Sequence, residues 1–428
     1  MAAAWLLNRH HDITIFEQAN WVGGHCNTVD VDAGDGRQLP VDTGFIVYNE
    51  RTYPNLTAMF RHLGVATELS DMSFSASVNN GHFEYSGTSL RTMLAQKRNL
   101  VRPRFWNMVR DIIRFYRDAV TDVARPEYAG VTLGEYLIRE GYSEGFLRDH
   151  LLPIGSSIWS ASLKDMRGYP LAAFVRFFKN HGLLETRNSR RPQWRTVTGG
   201  SRAYVQRLTA DFADRIRLNC PVVGVRRFHN RVEVSVAGGH TETFDDVVIA
   251  AHSDQALAML SDPSVQERKL LGAIRYERNF AVLHRDVAFM PKRRSAWASW
   301  NYISASGDTD SRLVCLTYWM NMLQNIAPDN QLFVTLNPHV TPAKQIASFE
   351  YDHPIFDLAA LDAQQELWSL QGANRTWFCG AYFGHGFHED GLQAGLAVGE
   401  ALGKMRRPWD VADESGRIHI HPTIEAAA

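Results

Sequence analysis

Apolar residues recur along this chain in three rhythms, and each predicts a different kind of element. Residues 52–64 carry Leu56, Met59, Phe60 and Leu63 at helical spacing, which predicts a helix that buries one face. Residues 100–123 repeat that spacing with aromatics and arginines interleaved: Phe105, Trp106, Arg110, Arg114, Phe115, Tyr116 and Arg117. Residues 72–86 alternate apolar and polar positions around Asn79-Asn80-Gly81, a hairpin signal. Alternation returns in 216–225 and 231–236, across a turn at His229-Asn230, and strands are also expected at 280–284, 299–302, 316–324 and 331–336. Two runs, 244–251 and 375–380, have apolar stretches without alternation and read as buried strands, the first of them parallel by composition. Asp12-Ile-Thr-Ile-Phe-Glu17 is a further short strand that ends on an acid.

The densest chemistry follows the last strand. Gly380-Ala381-Tyr-Phe-Gly-His385-Gly-Phe-His388-Glu-Asp-Gly391-Leu392-Gln-Ala394-Gly395 is a glycine-rich turn running into a helix. The small residues Gly391, Ala394, Gly395, Ala397 and Gly399 are expected to let that helix lie close to a bulky planar ligand. Its free N–H groups and positive dipole end favour negative charge. A tight turn with no ligand would use the same glycines, so the turn is read with the other patches. These are the acid Glu17, then Trp21-Val-Gly23-Gly24-His25-Cys26-Asn27-Thr28, then Asp42-Thr43-Gly44-Phe45, and later Gly199-Gly200-Ser201 opening a helix over 202–212.

In this order the patches resemble the flavin-containing amine oxidase superfamily, which includes monoamine oxidases, protoporphyrinogen oxidases and carotenoid desaturases. The resemblance is closest to its bacterial branch of NAD/FAD-binding oxidoreductases, often linked to cyclopropane or methyl-branched fatty acid metabolism. It implies an α/β fold in which a Rossmann-like FAD-binding domain of the glutathione-reductase type is interleaved with an α+β substrate domain on a mixed or antiparallel sheet. The expected FAD-binding segments are 1–70, 195–255 and 372–405; the substrate domain takes 71–194 and 256–371, and 406–428 form a tail. FAD is the implied cofactor. Glu17 would hold the ribose and Val222 the adenine, with Gly23, Gly24 and His25 at the pyrophosphate-to-flavin crossing. Thr43, Gly44 and Phe45 would lie beside the ring, and Gly380, Ala381, Gly391, Leu392 and Ala394 would complete the cradle. Related oxidases often carry Arg after the paired glycines where this chain has His25. A family member would also open on a buried strand and a GxGxxG turn, whereas Met1 falls inside the helix that follows them. The expectation is a true start upstream, with the first strand and the pyrophosphate amides missing from this sequence.

At 428 residues and 45% hydrophobic content the chain exceeds one hydrophobic core. A net charge of −1 argues against a nucleic-acid partner. The four cysteines are scattered without metal or disulfide spacing. The histidines, including His10-His11, His419 and His421, lack acidic partners at ligand spacing, so no structural metal is expected. Residues 151–178 are strongly apolar and aromatic; Ile158, Trp159 and Phe174, with Trp300, Tyr318 and Trp319 later, are candidate walls of a hydrophobic substrate pocket, although core packing alone gives the same composition. His385 and His388 are candidate proton acceptors. The leading expectation is a cytoplasmic flavin-dependent oxidoreductase of lipid metabolism, desaturase-like, that removes hydride and proton from a fatty acyl or other lipid chain. An amine or polyamine oxidase and a cofactor-poor lipid-binding accessory protein remain open. For residues 100–123 two readings stand: an amphipathic helix with aromatics in the core and arginines snorkelling outward, or a basic face resting on anionic phospholipid at the inner face of the membrane.

Overall fold

The structure is a computed structural model that describes residues 1–185, 191–305 and 309–420. His421 and the rest of the tail after it lie outside the described residues.

Four short strands form two parallel pairs. Val247–Ile249 pairs with Thr376–Phe378, and Ile15–Phe16 pairs with Ile216–Arg217. Only two residues of the expected 12–17 strand enter a ladder. The Met1 amine is buried within electrostatic reach of Glu17 and Cys379, which follow one strand of each pair, and burial lowers its pKa.

The alternating runs build a seven-stranded mixed sheet in the order Gln345–Ile355, Arg275–His284, Phe333–Leu336, Cys315–Trp319, Trp300–Ile303, Phe74–Val78, Phe83–Ser86. Its single parallel pairing joins Trp300–Ile303 to Phe74–Val78. A separate three-stranded meander contains Val222–Arg227 and Val232–Val236. The expected strand over 316–324 stops at Trp319, and Met320–Leu323 is helical. Asn321 causes the change: its amide donates to the carbonyls of Ile326, Ala327 and Asn330 and accepts from the Leu332 amide, closing the chain on itself.

The helix Pro103–Asp122 buries Phe105, Met108 and Phe115 while Trp106 and Ile113 stay exposed. Leu152–Trp159 packs on the strands Trp300–Ile303 and Gln345–Ile355, and Leu171–Asn180 packs on Pro103–Asp122. The helix His388–Gly403 corrects one expectation. Two of its small residues face protein: a Cβ on Gly395 would meet Ala2 at 3.1 Å, and one on Gly399 would meet Leu6 at 3.1 Å. The close approach is to the helix Ala2–Leu7.

The start of Pro54–His62 shows how distant segments are tied together. Its N-cap Tyr53 supplies no side-chain cap. Glu389, fully buried, supplies it instead, accepting from the Asn55 amide at 3.0 Å, the Asn55 side chain at 2.9 Å and the Leu56 amide at 2.9 Å. Glu389→Ala leaves these donors buried and unpaired, so it is expected to cost about 3–5 kcal/mol, read as a lower denaturant midpoint at unchanged slope.

Candidate functional site

The site grows from two turns clasped face to face. The Phe45 amide donates to the His25 carbonyl at 2.7 Å and the Thr43 amide to the Asn27 carbonyl at 2.9 Å. Gly23 and Gly24 adopt φ of 114° and 58°, which glycine supplies without strain. Asp42 locks the clasp from behind, accepting from Thr28 Oγ1 at 2.6 Å, the Ser201 amide at 2.9 Å and Gln324 Nε2 at 3.0 Å. Burial nevertheless pushes its carboxyl up to about 6.

On the ring side, Phe45 stacks on His388 with centroids 4.0 Å apart and planes 17° from parallel. His388 Nε2 lies 2.5 Å from the Tyr204 hydroxyl, which is 2.9 Å from Cys26 Sγ. Burial raises the Cys26 thiol to about 12, so it is a neutral thiol. Burial likewise pulls His388 and His385 down to about 4, keeping both neutral near pH 7. His25 lies over Tyr351 at 4.7 Å and beside His353 at 5.3 Å, and Tyr351 OH is 2.8 Å from Thr43 Oγ1.

The glycine-rich turn leads into the helix that carries His388. A Cβ on Gly391 would approach the Ala381 amide at 3.5 Å, so the helix start and the turn are in contact. The N-terminus carries two acids. Asp390 accepts from the Phe387 amide at 2.8 Å and from Arg417 at 3.2 Å, while Glu389 turns to Asn55 and Leu56. The helix end is therefore partly neutralised by its own chain.

Glu17 accepts from the Ala19 amide at 2.8 Å, and its carbonyl takes the Cys220 amide at 2.8 Å, which brings it near the segment leading to Val222. The candidate pocket residues divide into groups. Trp159 lies 5.9 Å from Phe174 and 4.7 Å from Phe177, with Ile158 packed against the same core. Trp300 and Tyr318 form a cross-strand pair with centroids 4.9 Å apart, in the same apolar cluster as Tyr351. Trp319 sits next to Tyr318 in its strand and so points to the other face, where it meets Trp297 at 5.1 Å. Sequence reasoning missed Tyr204, Tyr351 and His353. Phe349, Tyr351 and His353 alternate along one strand, so the period-two pattern carried a signal for the last two.

The residues fit FAD at its ring end. His25 Nε2, Ser253 Oγ, Tyr382 OH and His385 Nδ1 are buried without a hydrogen-bond partner. Ser253 and Tyr382 follow the carboxyl ends of the parallel pair Val247–Ile249 and Thr376–Phe378, where α/β sheets place cofactors. Buried polar groups of this kind require a partner.

Parallel strands feeding a glycine-rich turn, with an antiparallel-rich mixed sheet beside them, define an FAD-dependent oxidoreductase. The chain belongs to the flavin containing amine oxidoreductase family, whose family model matches residues 1–285. Its fold is similar to that of putrescine oxidase bound to putrescine, at 16% identity over 94% of this chain and 96% of that one, with a TM-score of 0.63. It is also similar to a CLA-producing fatty acid isomerase from P. acnes (13% identity, 94% and 95% of the chains, TM-score 0.64). A putative protoporphyrinogen oxidase from Exiguobacterium sp. 255-15 is similar too, at 16% identity, 94% and 95% coverage and a TM-score of 0.63. No curated protein matches the sequence. The protein is thus a flavin-dependent enzyme acting on a small molecule, and among the described residues no helix is long and apolar enough to cross a membrane.

Proposed function

We propose that the protein removes a hydride and a proton from a hydrophobic substrate, a fatty acyl or other lipid chain, and that it works at the inner face of the cytoplasmic membrane. The bound FAD supplies the two-electron oxidant. One observation carries the substrate reading: Phe387, the residue that starts the helix of the glycine-rich turn, stacks on Phe177 at 4.8 Å, and Phe177 meets Trp159 at 4.7 Å. An apolar aromatic cluster thus reaches the glycine-rich turn, and in this reading it excludes water there and aligns a hydrocarbon.

Within this reading Glu17 and Val222 hold the adenosine end, and Gly23, Gly24, His25, Thr43, Gly44 and Phe45 border the ring. Gly380, Ala381, Gly391, Leu392 and Ala394 form the opposing turn. His385 accepts the proton at its unpartnered Nδ1. His388, stacked on Phe45 and bonded to Tyr204, is a positioning residue.

An ammonium substrate calls for an unengaged buried carboxylate. Glu389 and Asp390, the two acids at the turn, are already engaged by Asn55, Leu56 and Arg417, which favours the lipid over an amine. The test is anaerobic mixing of the flavin-loaded protein with an unsaturated fatty acid or with putrescine. Bleaching of the flavin absorbance by the fatty acid alone is expected; bleaching by putrescine alone overturns the reading.

A further inference from the structure

Resting on the membrane location just proposed, we infer that the corner where the 3-10 turn Lys97–Val101 meets the helix Pro103–Asp122 is the surface that enters an anionic lipid leaflet.

Three apolar side chains protrude there. Val101 is 82% exposed, Leu100 50% and Trp106 48%, on a protein that buries most of its large apolar residues. They form one knob, because Trp106 Nε1 donates to the Leu100 carbonyl at 2.9 Å and holds the indole over the turn. A Trp fixed beside two aliphatic residues, with its N–H turned back to the backbone, presents an apolar body suited to the lipid headgroup boundary.

The surroundings of the knob are cationic. Residues 89–116 contain seven basic residues and one acid, Asp111, on a chain whose net charge is −1. Asp111 is fully buried. Cations from two segments converge on the hairpin tip at 79–82: Arg102 Nη1 donates to the His82 carbonyl at 3.1 Å, Arg98 donates to the same carbonyl, and Arg293 reaches the Gly81 carbonyl at 3.4 Å. Lys97 and Lys292 are exposed alongside. Of the acids near this corner Glu144, beside Arg104 and paired with Arg148, is exposed, and two others are held inside the protein. Glu84 is fully buried and bonded to Arg293 at 2.7 Å and to Ser77 at 2.9 Å, and Asp149 is buried and bonded to Arg104 at 2.6 Å.

Charge decides the occupant. Apolar insertion by three side chains alone holds a protein weakly, and the added attraction of clustered Lys and Arg for anionic headgroups makes the attachment lasting. A neutral surface would use the knob and leave the cations unanswered. The helix Pro103–Asp122 that carries Trp106 also packs on Leu171–Asn180, the helix bearing the Phe174 and Phe177 wall, so the leaflet and the proposed lipid path share one structural unit.

The test is co-sedimentation of the flavin-loaded protein with phosphatidylcholine vesicles doped with phosphatidylglycerol, against pure phosphatidylcholine vesicles, at low and high salt. Binding only to the anionic vesicles, weakened by salt, is expected. A Val101→Asp variant and a Lys97→Glu, Arg98→Glu double variant should each lower that binding roughly tenfold or more. All three sites are exposed, so flavin content and melting temperature should stay as in the parent protein. No binding to either vesicle, equal binding to both, or variants that bind like the parent overturns the inference. So does a parent that elutes as a dimer and becomes a monomer on Val101→Asp, since the knob is then a contact between copies. Vesicle binding is read without turnover, so it stands or falls separately from the fatty acid bleaching experiment.

Discussion

Below about pH 6.5 the protein is expected to lose stability steeply, because three histidines are buried in neutral form in places that reject a second proton. His284 accepts the Asp286 amide at Nδ1, 3.0 Å, so its single proton is on Nε2, where Thr335 Oγ1 receives it at 2.7 Å. His150 faces Tyr85, whose hydroxyl donates to the Asp149 carbonyl at 2.8 Å; the imidazole Nδ1–H therefore donates to the Tyr85 oxygen at 2.8 Å. His181 donates Nδ1–H to the Phe177 carbonyl at 3.0 Å and buries Nε2 without a partner. Burial holds His150 and His181 at about 3 and His284 at about 4.

The sign follows from proton counting. Each folded-state pKa lies below the unfolded value, so between about pH 6.5 and pH 4 the unfolded chain binds protons that the folded one refuses, and stability falls with pH. Below pH 6.5 each histidine contributes about 1.4 kcal/mol per pH unit, so three of them lose about 6 kcal/mol by about pH 5, within the range of a whole domain's stability. Asp42 opposes them. Its folded pKa of about 6 lies above its unfolded one, so it returns about 1.4 kcal/mol as pH falls from about 6 to about 5. These four groups together cost about 5 kcal/mol, and the buried His25, His353, His385 and His388, held low in the same way, add to the loss with the same sign. Denaturant melts at about pH 7 and about pH 5 measure it, and His284→Gln should flatten the slope by one histidine's share. A flat profile would show that these imidazoles reach water.

Much of the fold was legible because hydrophobic period encodes which face of an element is covered. The hairpin around 79–81, the helix Pro103–Asp122 and the buried strands 247–249 and 376–378 all follow from spacing alone. What the spacing leaves open is the identity of the cover. Gly395 and Gly399 advertise a close neighbour, and that neighbour is the helix Ala2–Leu7, nearly the whole chain away in sequence. Tyr318 and Trp319 are equally aromatic, yet adjacency in a strand sends them to opposite faces. Tyr204 reaches His388 across 184 residues, a separation at which no local pattern reports a contact. The candidate site was legible where chemistry requires a glycine or a turn, and hidden where it is assembled from side chains on distant strands.

Gly44→Ala is expected to abolish flavin retention. A Cβ at Gly44 would stand 2.3 Å from the His25 carbonyl oxygen, 3.1 Å from its carbon and 3.2 Å from the His25 Cα. All three are backbone atoms, so no rotamer change relieves the overlap. Relief requires the two clasped turns to separate, which breaks the Phe45 amide bond to His25 and costs about 3 kcal/mol or more from overpacking and a lost hydrogen bond. The same separation lifts Phe45 from His388 and Thr43 from Tyr351, so both walls proposed to border the ring move together. Gly141→Ala, far from every residue proposed to hold FAD, is the matched control: its Cβ meets nothing within 4 Å, and it bears only the strain of a left-handed φ of 64°, about 1–2 kcal/mol. The visible absorbance of each purified variant per mole of protein decides the matter. A colourless Gly44→Ala beside a coloured Gly141→Ala makes the clasp the part of the site that holds the ring. A folded Gly44→Ala with the parent's flavin content would mean that the ring is held by the turn at 380–391 without the clasp.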